Sequence, residues 1–159
     1  MENKEIIKKL EKMGKVKDAS EAFLEYPVEE EWHKGDINSF FKEDTETYGE
    51  YNIGDIVFVE KYLYKNGRAG KNHLFVIIEK DNYAVPIEYF AMLISSHLDK
   101  LKYDSNVLLL KDSLNNLKRD SIVKTDTIYK IKNENIKFRI GVVEESTVKE
   151  YMKKLQNLF

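Results

Sequence analysis

Apolar residues recur along this chain in two rhythms, and the change from one to the other divides it. Near the start, Ile6, Ile7, Leu10 and Met13 follow the period of an amphipathic helix. Asn3 is placed to cap that helix and Gly14 to end it. Asp18, with Glu21 three residues on and Ala22-Phe23 behind, has the form of a capping box and predicts a second helix. Tyr26-Pro27 closes it and can open a third, Val28 to Lys34, which Gly35 stops. Asp36 can cap a last turn that presents Ile37, Phe40 and Phe41. Pieces this short do not hold alone in water, so they must pack on the rest of the chain.

From Tyr51 the texture becomes that of strands. Asn52-Ile53-Gly54-Asp55 is a turn, and Ile56-Val57-Phe58-Val59 is a β-branched and aromatic run. Further runs are Leu74 to Ile78, Ile87 to Ser95 with Pro86 tolerated at its start, and Val107 to Leu110. Ser121-Ile122-Val123, Thr127 to Ile131 and Phe138-Arg139-Ile140 follow. The runs are nearly continuous rather than alternating, which means that both strand faces are covered. The chain closes on a helix that Ser146 can cap, with Glu150 near the reciprocal position; its stripe is Val148, Tyr151, Met152, Leu155, Leu158 and Phe159. These elements predict a mainly β fold with flanking helices (α+β), a small closed or half-closed antiparallel barrel. They predict two units: a helical extension over 1–50 and a barrel over 51–159.

At 159 residues the chain is one ordinary domain, or a small one with an attachment, and can bury a core without staples. It has no cysteine, which excludes disulfides, thiol catalysis and Cys–zinc sites. His33, His73 and His97 are too scattered for a histidine-only metal site. No apolar run is long enough to cross a bilayer, and the charged start has no signal-peptide core, so a cytoplasmic protein is expected, with no membrane partner. The net charge of −2 conceals an asymmetry: residues 1–50 hold 8 Lys against 14 Asp and Glu, and residues 51–159 hold 18 Lys and Arg against 14. A basic barrel with an acidic attachment is compatible with a polyanionic partner, and equally with ordinary surface charge.

No phosphate-binding glycine loop, nucleotide fingerprint or HExxH is present. Two strand ends hold the side chains suited to chemistry. Arg68, Lys71 and His73 lie in or just after a basic glycine loop that precedes Leu74, and Ser95-Ser96-His97 ends the third strand. If those strands are neighbours, the two ends meet at one rim. Histidine transfers protons near neutral pH, a serine hydroxyl donates to a developing anion, and Lys and Arg neutralise phosphate. Together they suit cleavage of a phosphodiester without a metal. Each also has a plain structural reading, as a strand-end histidine, a strand terminus or a solvated turn. Trp32 and the tyrosines read as core or interface.

Four segments carry a family resemblance over Ile53 to Phe159. Gly54-Asp55-Ile56-Val57-Phe58-Val59 resembles the opening strand of the MazF/PemK-type toxins of bacterial toxin–antitoxin systems. The basic loop with Leu74-Phe75-Val76-Ile77-Ile78 is similar to their second strand, and Leu93-Ile94-Ser95-Ser96 to the end of their third. Arg119-Asp120-Ser121-Ile122-Val123, Asp126 to Ile131, Ile140-Gly141 and Glu144-Glu145 are similar to their C-terminal half. The resemblance implies an SH3-like barrel of the MazF/PemK (CcdB-like) type, usually a homodimer. It implies a metal-independent endoribonuclease that cuts single-stranded RNA by 2′-hydroxyl attack, needs no cofactor and is silenced by an antitoxin protein. It implies His73 and Ser95 as catalytic, with Arg68, Lys71, Ser96 and His97 binding substrate. His73 and Leu74 stand where the family usually has Arg-Pro. Histidine exchanges protons more readily than a guanidinium but clamps phosphate less well. A binding module on the same barrel and a gyrase-directed toxin therefore stay open. The acidic extension, outside these segments, either lies over the RNA groove as an antitoxin would or enlarges the core.

Overall fold

The computed structural model describes residues 2–25, 50–59, 73–81, 83 and 86–158. The helices expected between 26 and 49, the basic loop with Arg68 and Lys71, Asn82 and Phe159 lie outside those residues. Helix α1 (Asn3–Lys12), strand β1 (Val16–Asp18) and helix α2 (Ser20–Glu25) come first. Strands β2 (Asp55–Val59), β3 (His73–Lys80) and β4 (Glu88–Ser95) follow. A 3-10 turn over Leu98–Lys102 leads to β5 (Asn106–Leu109), β6 (Ser121–Lys124) and β7 (Ile128–Lys132). A second, Asn133–Asn135, leads to β8 (Ile136–Val142), and α3 (Glu145–Gln156) closes the chain.

The capping box forms as expected. The Asp18 N–H donates to Glu21 Oε2 at 2.9 Å, and Asp18 Oδ1 accepts from the Ser20 N–H at 2.9 Å. The other two caps are corrected. Helix α1 begins on Glu2, whose carbonyl accepts the Ile6 N–H, and α3 begins on Glu144, whose carbonyl accepts the Val148 N–H. Neither cap position makes a side-chain bond, so Asn3 and Ser146 stand inside rather than before their helices.

The strands run β1-β7-β4-β3-β2-β8 in one sheet, with β6 also on β4 and β5 on β6. Among the described residues these ladders do not join into a ring, so the barrel is half-closed. Strand β4 explains the branching. One of its edges carries β3, while the other is shared by β7 over Glu88 to Ala91 and by β6 at Ile94 and Ser95. All the pairs are antiparallel except β1 with β7, where Val16 meets Ile128 in parallel.

Pleating sends alternate side chains to two faces, and both are buried. One face, with Ile56, Phe58, Val76, Met92 and Ile94, packs under α1 and α3. Ile6, Ile7 and Leu10 of α1 are within that cluster, so the amphipathic stripe at the start of the chain is spent on the core. The other face, with Val57, Phe75, Ile77, Leu93 and Tyr129, packs against Ala19, Ala22 and Tyr51. We call these the helix face and the site face.

Two glycines set the edges of the sheet. Gly54 has φ +93°, and a Cβ there would stand 2.6 Å from the Val143 carbonyl oxygen. Gly141 on β8 lies under the loop between β5 and β6, where a Cβ would stand 2.2 Å from the Asn115 carbonyl oxygen. Buried Asn115 organises that loop: its Oδ1 accepts from the Asp112 and Leu117 N–H groups, and its Nδ2 donates to the Leu110 carbonyl.

Candidate active site

Antiparallel pairing of β3 with β4 decides the geometry. Leu74 pairs with Ile94, so His73, one residue before, and Ser95, one residue after, take the next opposed positions at the end of the ladder. Opposed side chains on one face lie about 5 Å apart at Cβ. The other edge of His73 pairs with Val59, and the other edge of Ser95 with Ile122. One row of the sheet thus runs Ile136, Val59, His73, Ser95, Ile122 and Leu108 across five ladders. The two strand ends do meet at one rim.

His73 and Ser95 are each 7% exposed. The His73 ring stands edge-on to Phe75, 6.4 Å between centroids, which fixes it on the site face. Ser95 Oγ accepts the His97 N–H at 3.2 Å and so closes the turn that leaves β4. Ser96 is half-buried, and His97 is exposed at the rim. His97 Nδ1 lies 3.9 Å from Asp99 Oδ1.

The sheet adds a residue that sequence reasoning missed. Lys124 ends β6 two positions after Ile122, so it shares the face of Ser95. It stands diagonally from Ser95, about 7–8 Å away at Cβ, within reach of a long side chain. It is only 8% exposed, and Lys is seldom so deep without a polar environment. Nothing local to Ser121-Ile122-Val123-Lys124 signals this, because only the pairing of Ile122 with Ser95 puts the lysine on that face.

The far end of the site face is also polar. Arg139, opposite Val57 on β8, puts Nη1 3.7 Å from Oδ1 of buried Asp55. Burial pushes the Asp55 carboxyl up, while the Asn52 N–H bonded to its Oδ2 and the Arg139 guanidinium pull it down. The Tyr51 N–H donates to the Tyr89 hydroxyl at 3.1 Å, and Asn133 Nδ2 donates to the same oxygen at 3.3 Å. Burial pushes both phenols up, so they act as neutral hydrogen-bonding groups. This network ties the Tyr51 turn to the sheet and is structural.

A cleft of about 650 Å³ opens elsewhere, between α1 and the β3–β4 hairpin, lined in part by Lys8, Lys12, Glu79, Lys80, Phe90 and Lys130. It contains none of the site residues expected from the sequence. Among the described residues, no three His, Asp or Glu side chains stand together as a metal site.

A histidine and a serine hydroxyl at one rim, with a buried lysine one row in, can be compared with known families. The family model of PemK-like, MazF-like toxins of type II toxin–antitoxin systems matches residues 52–159. The chain belongs to this family. No curated protein matches it. As a PemK-like toxin it has an antitoxin as the partner that its family implies. The match begins at the turn that Gly54 and Asp55 build, so α1, β1 and α2 lie before it although they share its core. Among the described residues of this PemK-like chain, no helix is long and apolar enough to cross a membrane.

Proposed function

We propose that this toxin is a metal-independent endoribonuclease that cuts single-stranded RNA in the cytoplasm, as a homodimer. Toxins of its family are endoribonucleases in general. The observation that carries the reading is the opposed placement of His73 and Ser95 at the end of the β3–β4 ladder. In this mechanism the His73 imidazole takes the proton of a ribose 2′-hydroxyl, which attacks the adjacent phosphorus. The Ser95 hydroxyl donates to a phosphate oxygen, assisted by Ser96. Lys124 supplies the permanent positive charge that an arginine at position 73 would bring. Arg68 and Lys71 hold the backbone of the strand, and His97 contacts it at the rim. RNA is required because DNA has no 2′-hydroxyl. The products are a 2′,3′-cyclic phosphate and a 5′-hydroxyl end.

The test is incubation of the pure protein with a long RNA in EDTA, with the ends mapped. Discrete cuts that carry cyclic phosphate are expected, and a DNA of the same sequence stays whole. Intact RNA at high protein concentration rejects the reading. The depth of His73 and Ser95 favours one alternative, a binding module on the same barrel. That module would retain RNA in a gel-shift assay and leave it uncut.

A further inference from the structure

We infer that His97, positioned by Asp99, is the general acid that protonates the departing 5′-oxygen, so that cleavage runs on two histidines. This rests on the endoribonuclease reading above. Transesterification at phosphorus needs two proton transfers, one off the 2′-oxygen and one onto the 5′-oxygen. In-line attack puts those oxygens on opposite sides of the phosphorus, so one buried imidazole does not serve both. Lysine, with an ordinary pKa of about 10.4, gives up its proton poorly at neutral pH, and a serine hydroxyl is poorer still.

His97 meets the requirement in three ways. Its N–H bond to Ser95 Oγ ties it to the row that holds His73. Two residues of chain reach at most about 7 Å, and the β3–β4 ladder adds about 5 Å. Both histidines therefore belong to the same end of the β3–β4 hairpin. The His97 side chain is 44% exposed, so solvent can return its proton between turnovers. Finally, Asp99 Oδ1 faces Nδ1 at 3.9 Å and so biases the orientation of the ring. The step balances: the 2′-oxygen–phosphorus bond forms as His73 gains a proton, and the phosphorus–5′-oxygen bond breaks as the oxygen takes the proton of His97. Asp99 is a positioning residue and touches neither oxygen.

A change of leaving group tests this. The probes are a synthetic RNA that spans a mapped cut site and the same strand with sulfur in place of the bridging 5′-oxygen, since a thiolate departs without a proton. His97→Ala and His97→Gln are expected to cut the oxygen strand about 100-fold or more slowly. They should cut the sulfur strand within about tenfold of the wild type. Asp99→Asn should show the same pattern, weaker. His73→Ala should be slow on both strands. Wild-type rates of His97→Gln on the oxygen strand, or equal losses on both strands, would overturn the assignment. If the wild-type protein cuts no RNA at all, the endoribonuclease reading fails and takes this one with it. If it cuts and the His97 variants cut equally well, only this one falls.

Discussion

The two faces of the sheet are built from the same strands and do different work. On the helix face the buried residues of β2, β3 and β4 are apolar except Glu79 beside Phe90, and two amphipathic helices cover it. On the site face β2, β3 and β4 are equally apolar in the middle, but the rim holds His73 and Ser95, Lys124 stands one row in, and β8 holds Arg139. The difference is one of parity. Residues 74, 76 and 78 are core, while 73, 75 and 77 begin with a titratable group. A single-residue slip in register would exchange the two sets. Stability and the proposed chemistry should therefore be separable by mutation, each on its own face.

The sharpest test of that separation is His73→Gln, which keeps bulk and polarity but removes the proton carrier. RNA cleavage should fall about 10²–10⁴-fold, with a thermal midpoint within a few degrees of the wild type, read by circular dichroism. Lys124→Met should lower the cleavage rate about 10²–10³-fold, while Lys124→Arg keeps most of it. On the opposite face, Leu10→Ala should cost about 2–5 kcal/mol in urea denaturation and leave the rate per folded molecule unchanged. A large loss of rate in that variant under folding conditions would break the comparison. Gly141→Ala should cost about 1–3 kcal/mol, because the Asn115 backbone has to move. Asp55 gives the smallest effect. Its carboxyl is raised above the ordinary value of 3.8, so the folded state holds that proton more tightly than the unfolded chain does. Its contribution is fully present below that value and is lost as pH rises through the folded one. Asp55→Asn should flatten stability against pH in that window, as measured by urea midpoints.

The strand runs and the two long helices were legible because period and composition agree there. The capping box at Asp18 was legible because its two partners are only three residues apart. Strand β1 was not. Val16-Lys17-Asp18 is too short for a period, and its partner lies on β7. The caps at Asn3 and Ser146 were misread because a good cap residue next to a helix start does not say which carbonyl begins the ladder. The meeting of His73 and Ser95 at one rim was legible because each stands at a strand end, and consecutive strands pair antiparallel more often than not. Lys124 needed the branch at β4, where β6 takes over the edge from β7, and nothing local to Ser121–Lys124 announces that.

The parallel pair between β1 and β7 sets an order of events on the ribosome. Val16 leaves the exit tunnel over a hundred residues before its partner Ile128. A contact this distant in sequence forms late and closes a long loop. Until then the first helix has no finished surface to rest on. The nascent toxin gains its complete sheet only after β8 has emerged.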